Sequence, residues 1–417
     1  MTTQYNAPTG VSSATDSTVD ASNTSTNIRV DHYIKKALVD ARRNHVFMQT
    51  ADVQSMPKNS GKEMKRYFYV PILDERNLST EGLGNNSLVT GEAAAGAAGS
   101  GALYGGSKDV GTIAGKMPAL GENSGRVNRV GSVRELRKGS INKYGVFSEY
   151  TQDSLDFDSD SELYNHMYRE VINGASEITE DLLQLDLITQ AGEVVYTGDA
   201  STTAEVKQPL EYADLMRLAI TLDDNRTPRQ SKIITGTRLI DTKVVAGVRY
   251  MYIGSEMIPT LKRMTDLHGA PAFIPIEHYA ANANIAMGEI GAIDQFRFIV
   301  HPEMMQWEGE GAAVASGVVP ESYNEDGNAE DLLVNDGTNY TVFPMLTIGD
   351  ESYSTIGFQT NGKTVNFDII TKAPGKQTAD AYNDPYGEKG FVSLKFWYGF
   401  LLQRPERLAL IKTLAFR

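Results

Sequence analysis

The sequence predicts an α+β fold, and three features of the 417-residue chain support that class. Strand-like segments flank a glycine-rich stretch at residues 79–125, and one long amphipathic helix follows, ending before Gly192. Shorter helices and strands then alternate, and the chain closes with two apolar strands within residues 391–415. A hydrophobic content of 41% is enough for a sizeable core in more than one lobe.

A long β-hairpin is the most distinctive predicted element. Its arms, residues 65–73 and 127–147, are strand-like and rich in Lys and Arg, and the 47 residues from 79 to 125 hold 12 of the 38 glycines. Ordering that glycine-rich segment costs on the order of 50–90 kcal/mol of conformational entropy. At about 25 cal/mol per Å², this requires burial of roughly 2,000–3,600 Å², the size of an obligate subunit interface. The segment is therefore either disordered or laid across a neighbouring subunit.

The charge of the chain is unevenly distributed. The net charge is −14, yet residues 57–143 carry 13 Lys and Arg against 8 Asp and Glu, so this part is +5 and the remainder −19. A basic hairpin on an acidic body favours head-to-tail contact between identical subunits, although ordinary scatter would also give such an imbalance. Arginines fall on alternate faces of the second arm, which argues against one stripe that tracks nucleic-acid phosphates. The predicted inter-subunit contacts are Lys65, Arg66, Arg126, Arg129, Arg134, Arg137 and Lys138.

The clearest helix begins after a run of acidic residues. Ser159 or Ser161 supplies the N-cap, Gly192 occupies the position after the C-terminus, and acids in the first turn favour the helix dipole. About 30 residues at 1.5 Å each make a rod of about 45 Å, which suits the spine of a large, flat body. Helical spacing predicts one buried apolar stripe, formed by Leu163, Met167, Val171, Ala175, Ile178, Leu182, Leu185 and Ile188.

The other segments give shorter elements. Residues 1–28 are polar and predict an extended or disordered arm, and a short helix follows with Asp31 as its candidate N-cap. The two closing strands are separated by a break at residues 404–406. Helices are predicted at 209–222 and 255–264, and strands at 232–235, 250–253, 272–276, 296–300, 340–346 and 365–371.

Composition excludes several classes of protein. Because the chain has no cysteine, thiolate nucleophiles, disulfides and cysteine-based metal sites are ruled out. No apolar run approaches the roughly 18 residues of a membrane span. The first 27 residues lack the basic end and apolar centre of a signal peptide. The six histidines show no metal-ligand spacing.

No motif predicts a cofactor, a metal or a catalytic centre. The acidic run at 153–162 resembles a calcium loop, but counting from Asp156 places Ser161 and Met167 where an EF-hand needs Gly and Glu. Residues 99–105 and 111–117 are near misses for dinucleotide and phosphate loops, as expected where glycine is dense. The chain is therefore predicted not to be an enzyme, and a hydrolase built on acidic residues is the less favoured alternative.

The order of the predicted parts resembles that of the major capsid proteins of tailed bacteriophages with the Hong Kong 97 fold. The closer similarity is to the capsid family of the N-four-like podoviruses. The segments that carry it are YMYIG at 250–254, residues 273–275 and 279–280, GEIG at 288–291, residues 296–298, residues 350–357, and residues 384–390 with Lys395 and Tyr398.

This resemblance implies an architecture in five parts. They are an N-terminal arm (1–56), an extended loop (57–150), a peripheral domain with the spine helix (151–208), an axial domain (209–365) and closing strands of the peripheral domain (366–417). In that family the extended loop lies over the neighbouring subunit, which agrees with the burial argument made from the glycine-rich segment.

The resemblance also implies a function. The chain would be a non-enzymatic major capsid protein that self-assembles, as pentamers and hexamers, into the icosahedral head around double-stranded DNA. It would reside in the virion after synthesis and assembly in the host cytoplasm, with a scaffolding protein, a portal and a decoration protein as further partners and no membrane. An encapsulin-type compartment on the same fold is the alternative, and a fibre or adhesin is disfavoured because the chain has no internal repeat.

Overall fold

The computed structural model of the chain describes residues 46–69, 122, 134–157, 163–234, 242–279, 286–314, 333–358, 367–375 and 384–416. The chain divides into two compact units, and the described parts of the smaller one are 147–157, 163–173, 369–375 and 384–393. The larger unit holds the remaining described residues. The predicted arm up to residue 45, the glycine-rich tip other than residue 122, and the predicted contacts Arg126 and Arg129 lie outside the described residues.

Helices and strands are interspersed, so the predicted α+β class is confirmed. The helices are α1 (Gln152–Phe157), α2 (Leu163–Thr189), α3 (Tyr212–Asp224) and α4 (Ile258–Arg263). The strands are β1 (Asp52–Met56), β2 (Glu63–Tyr69), β3 (Arg134–Thr151), β4 (Glu193–Tyr196), β5 (Gln230–Ile234), β6 (Thr242–Ala246), β7 (Arg249–Gly254), β8 (Ile274–Pro275), β9 (Glu289–Ile293), β10 (Phe296–His301), β11 (Phe343–Ile348), β12 (Tyr353–Phe358), β13 (Asp368–Lys372), β14 (Lys389–Leu402) and β15 (Leu408–Thr413).

The described strands form two large sheets and one small one. The six-stranded sheet has the order β1-β12-β14-β3-β2, with β13 paired to β14, and the seven-stranded sheet has the order β4-β15-β11-β7-β10-β9-β8. Strands β5 and β6 pair with each other. The two closing strands predicted near the C-terminus both exist, but they do not form a hairpin, because β14 enters one large sheet and β15 the other.

Strand β7 lies at the centre of the seven-stranded sheet. It pairs in parallel with β10 and antiparallel with β11, and all six of its residues are buried. A strand covered on both faces has no polar side, so its sequence is a continuous run of apolar residues rather than an alternation of apolar and polar ones. Leu218 of α3 and Leu261 of α4 belong to the same apolar cluster as Met251 and Phe298, so both helices share a core with this sheet.

Helix α2 confirms the predicted spine helix, but the predicted buried stripe is only partly right. Ile178 is 39% exposed and Leu185 is 51% exposed. Val171 and Ala175 of the predicted stripe are buried, but farther along the helix the buried apolar positions are Leu183 and Leu187, on the side that also carries the polar residues Thr179, Glu180 and Gln184. The helix is apolar on two sides, and spacing alone does not reveal which side meets the sheets.

Gly192 has a different role from the predicted helix cap. Helix α2 ends at Thr189, and Gly192 is not among the described glycines with a positive φ. A Cβ at Gly192 would lie 2.3 Å from the carbonyl oxygen of Pro405. The absence of a side chain therefore allows the chain before β4 to approach the turn between β14 and β15.

Candidate assembly interface

The base of the predicted hairpin is an antiparallel pair formed by β2 and β3. Glu63 lies opposite Ser140 at one end, and Tyr69 lies opposite Arg134 at the other. Strand β3 has 18 residues and continues past β2 to pair with β14, so the hairpin is an extension of the six-stranded sheet. Strand β2 is the last strand in the described order of that sheet. The predicted pairing of the two basic arms is confirmed for these residues.

A glycine at the base of the hairpin permits its attachment to the sheet. A Cβ on Gly139 of β3 would lie 2.6 Å from the carbonyl oxygen of Phe400 in β14. Gly399 is in the reciprocal position, where a Cβ would lie 2.7 Å from the carbonyl oxygen of Ser140. Real side chains do not tolerate such distances, so the two glycines allow the two backbones to come this close.

One face of the hairpin is exposed and combines cations with aromatic rings. Tyr67 is 56% exposed, Tyr69 is 64% exposed and Leu136 is 42% exposed. The Arg134 guanidinium lies 4.1 Å from the centre of the Tyr67 ring, a cation–π contact. We call this surface the exposed hairpin face; its residues are Glu63, Lys65, Tyr67, Tyr69, Arg134, Leu136, Lys138 and Ser140, and Nζ of Lys65 pairs with Oε2 of Glu63 at 3.4 Å.

The opposite face of the hairpin carries Arg66 and Arg137. Nη1 of Arg66 donates to Oε1 of Gln403 at 2.6 Å, and Nη2 of Arg137 pairs with Oε2 of Glu135 at 2.7 Å. Three predicted contacts therefore lie on the exposed hairpin face, namely Lys65, Arg134 and Lys138. Arg66 and Arg137 point the other way, as the alternation of side chains along a strand requires.

A buried glutamate on the spine helix holds the first described residues of the chain. Oε1 of Glu180 accepts hydrogen bonds from the backbone amides of Val46 and Phe47 at 2.8 and 2.7 Å. The Tyr252 hydroxyl donates to the Val46 carbonyl at 3.1 Å, and the Tyr353 hydroxyl donates to the Phe47 carbonyl at 3.1 Å. We call this arrangement the Glu180 clamp. Side chains from α2, β7 and β12 thereby form hydrogen bonds with the backbone N–H and C=O groups of both Val46 and Phe47.

Burial changes the acid–base behaviour of the Glu180 clamp. Glu180 is 3% exposed, and its Oε2 has no hydrogen-bond partner among the described residues. Loss of hydration raises the pKa of Glu180 from 4.5 to about 7, although the two backbone amides act in the opposite direction. Sequence reasoning missed this clamp, because Val46 and the glutamate that holds it are 134 residues apart along the chain.

Two of the segments that carried the resemblance supply structural side chains. Tyr252, from YMYIG, and Tyr353, from residues 350–357, are the two tyrosines of the Glu180 clamp. Tyr398 donates from its hydroxyl to Oδ2 of Asp186 on α2 at 3.0 Å, and burial raises the pKa of that aspartate. These residues hold the spine helix to the sheets.

The described residues contain no group of three or more His, Asp or Glu side chains placed to hold a metal ion. In the acidic run, Oδ2 of Asp156 accepts a hydrogen bond from Nε2 of Gln152 at 2.8 Å, one turn earlier in α1. None of the described helices is long and apolar enough to cross a membrane.

A curated relative decides the family. The major capsid protein of Pseudomonas phage KPP21 is 52% identical over 389 residues, which cover 93% of this chain and 93% of that protein. This chain belongs to the major capsid protein family. No protein-family model matches the chain.

Solved structures show the fold. The capsid of Ralstonia phage GP4 superposes with a TM-score of 0.56 at 11% identity, covering 93% of this chain and 95% of that chain. The capsid of Cyanophage Pam1 superposes with a TM-score of 0.52 at 10% identity, covering 94% of this chain and 98% of that chain. The predicted Hong Kong 97-like fold is thus confirmed.

Membership of this family confirms the main functional predictions. The protein is a structural, head-forming major capsid protein and not an enzyme. It self-assembles into a capsid lattice and resides in the capsid of the virion.

Proposed function

We propose that the chain builds an icosahedral head, from pentamers and hexamers, around double-stranded DNA, and that the exposed hairpin face binds an acidic surface of the next copy. The observation that carries the proposal is that face itself, which places three cations among Tyr67, Tyr69 and Leu136. Aromatic residues and arginine are enriched where protein interfaces bury their cores. The acidic remainder of the chain supplies complementary charge.

Charge reversal on the exposed hairpin face tests this contact. Arg134 and Lys138 are exposed and lie on the same face, so the double variant Arg134→Glu/Lys138→Glu reverses two contacts without entering the core. Exposed pairs contribute about 0.2–1 kcal/mol each, so loss of two pairs should raise the threshold concentration for shell formation about 2- to 30-fold. The measurement is shell yield against protein concentration by light scattering.

A matched control separates the face from net charge. Lys58 and Lys62 are exposed and precede β2, so reversing both changes the net charge by the same amount outside the exposed hairpin face. The control should assemble within about twofold of the wild type. Added salt should weaken wild-type assembly but assist assembly of the double variant, because screening reduces the attraction in one and the repulsion in the other. Equal thresholds for the two double variants would contradict the proposed contact.

Further parts of the proposal rest on the family and on the sequence. We propose the five-part division into arm (1–56), extended loop (57–150), spine-helix region (151–208), axial domain (209–365) and closing strands (366–417). We also propose membership of the N-four-like capsid group and assembly in the host cytoplasm with a separate scaffolding protein, a portal and a decoration protein. An encapsulin-type shell is the alternative, and the nucleic-acid content of purified filled particles distinguishes the two.

A further inference from the structure

A charged groove of about 240 Å³ lies beside β2 of the hairpin. Its lining consists of residues 66–69 of β2 together with Arg137, Glu351, Gln403 and Arg404. We call it the arginine groove. Glu351 lies between β11 and β12, and Gln403 and Arg404 follow β14, so two connections between the large sheets complete the lining of the groove.

The arginine groove concentrates positive charge. Arg66 and Arg137 are directly opposite each other in the β2–β3 register and on the same face, an arrangement of like charges that destabilises a sheet. Arg404 adds a third guanidinium, against Glu351 as the one carboxylate in the described lining. The groove therefore favours an additional anion.

The existing contacts leave hydrogen-bonding capacity in the arginine groove. A guanidinium has five N–H donors. Arg66 uses one on Gln403, and Arg404 is 3.7 Å from Glu351, a long and partly exposed pair. Nε of Arg137 is buried and has no hydrogen-bond partner among the described residues. Planar guanidinium groups bind carboxylates through two parallel hydrogen bonds, so the unused donors match that ligand.

We propose that the arginine groove binds a carboxylate-bearing segment of a second copy of this chain. The proposal rests on the proposed function, because self-assembly brings such a segment within reach. The chain has a net charge of −14, so every copy carries carboxylates in excess of its cations. In a shell made of identical copies, each groove has one neighbouring chain that can supply such a carboxylate. Arg137 already pairs with Glu135 and Arg404 with Glu351, so the three arginines carry a surplus of one positive charge over these two carboxylates. A single surplus charge fits one carboxylate better than a polyanionic nucleic acid.

Photo-crosslinking within assembled shells identifies the occupant. Phe68 lines the groove and lies on the same face of β2 as Arg66, away from the exposed hairpin face, so a benzoylphenylalanine at this position keeps an aromatic ring in the groove. Shells are assembled from a mixture of ¹⁴N- and ¹⁵N-labelled subunits, irradiated, digested and analysed by mass spectrometry. We expect crosslinked peptides of mixed isotope composition that join residue 68 to an Asp- or Glu-rich peptide.

Variants in which neutral glutamines replace two cations complete the test. Arg66→Gln/Arg404→Gln should lower the crosslink yield about fivefold, whereas Lys58→Gln/Lys62→Gln should leave it unchanged. Crosslinks within one copy only, crosslinks to nucleic acid, or a yield that does not respond to Arg66→Gln/Arg404→Gln would overturn the proposal. Failure of the wild-type chain to form shells would instead contradict the proposed function, so the two failures are distinguishable.

Discussion

The Glu180 clamp predicts that the stability of the subunit decreases as the pH rises from 4.5 to about 7. Burial raises the pKa of Glu180 to about 7 in the folded chain, against 4.5 for an exposed glutamate. The folded state therefore binds the proton more tightly than the unfolded state does. The stabilisation is complete below pH 4.5 and is lost as the pH rises through 7, and the difference amounts to about 3 kcal/mol.

Two substitutions separate the charge of Glu180 from its hydrogen bonds. Glu180→Gln keeps a carbonyl oxygen for the amides of Val46 and Phe47 and removes the ionisation. We expect it to match the wild type near pH 5 and to exceed it at pH 8 by about 3 kcal/mol. Glu180→Ala leaves two buried amides without an acceptor and should cost about 2–6 kcal/mol at pH 5, and about 3 kcal/mol less than this at pH 8, because it also removes the ionisation.

Urea unfolding of the unassembled subunit at pH 5 and pH 8 measures these differences. The difference in unfolding free energy between the wild type and Glu180→Gln reports the carboxyl group alone, because all other nearby groups are common to both proteins. One of these is the His301 imidazole, whose ring centre lies 5.0 Å from that of Phe47. If the wild type and Glu180→Gln show the same pH dependence, ionisation of this carboxylate does not limit stability. If Glu180→Ala is as stable as the wild type at pH 5, the clamp does not hold the segment.

Two further substitutions test the core. Arg249 is fully buried and its Nη2 pairs with Oδ1 of Asp223 at 2.6 Å, so Arg249→Met should lower the free energy of unfolding by about 3–5 kcal/mol. Arg229→Met removes the exposed partner of the same aspartate and should lower it by at most about 1 kcal/mol. Gly139→Val should cost about 1–3 kcal/mol, because its Cβ would meet a β14 carbonyl oxygen at 2.6 Å, whereas Gly174→Ala, with open space around it on α2, should not destabilise the chain. Equal effects within either pair, measured by urea unfolding, would contradict the corresponding contact.

Local patterns in the sequence were sufficient for the main elements. The spine helix has a helical period over seven turns, and 250–253 is a continuous apolar run, which is how a doubly covered strand such as β7 must appear. The two arms of the hairpin alternate and flank a glycine-rich segment, so their pairing followed from turn chemistry. The opposite orientation of Arg134 and Arg137 followed from strand geometry alone.

Long-range contacts could not be predicted in the same way. The choice of the buried side of α2 depends on the chain entering at Val46 and on Tyr398, neither of which is near α2 in sequence. Strands β14 and β15 are close in sequence but select partners in different sheets. The roles of Gly139 and Gly192 depend on the strands and turns that approach them, and a single sequence does not show those approaches.

The arginine groove shows the same limit within the assembly interface. Arg66 was predicted as a basic residue of the hairpin. Its neighbours in the groove, Glu351 and Gln403, both lie more than 280 residues farther along the chain. Their proximity follows from the pairing of β3 with β14, which brings the ends of β14 and β12 beneath the hairpin. Sequence alone therefore gave the charge and the face of each residue and did not give its partners.

Cryo-electron microscopy of the purified chain, alone or with a scaffolding protein, tests the central claim most directly. The account predicts closed icosahedral shells in which the exposed hairpin face of each subunit, at Tyr67, Tyr69 and Arg134, contacts the neighbouring copy. A monomer near 45.6 kDa under all salt and protein concentrations, or shells in which this face points to solvent, would contradict it.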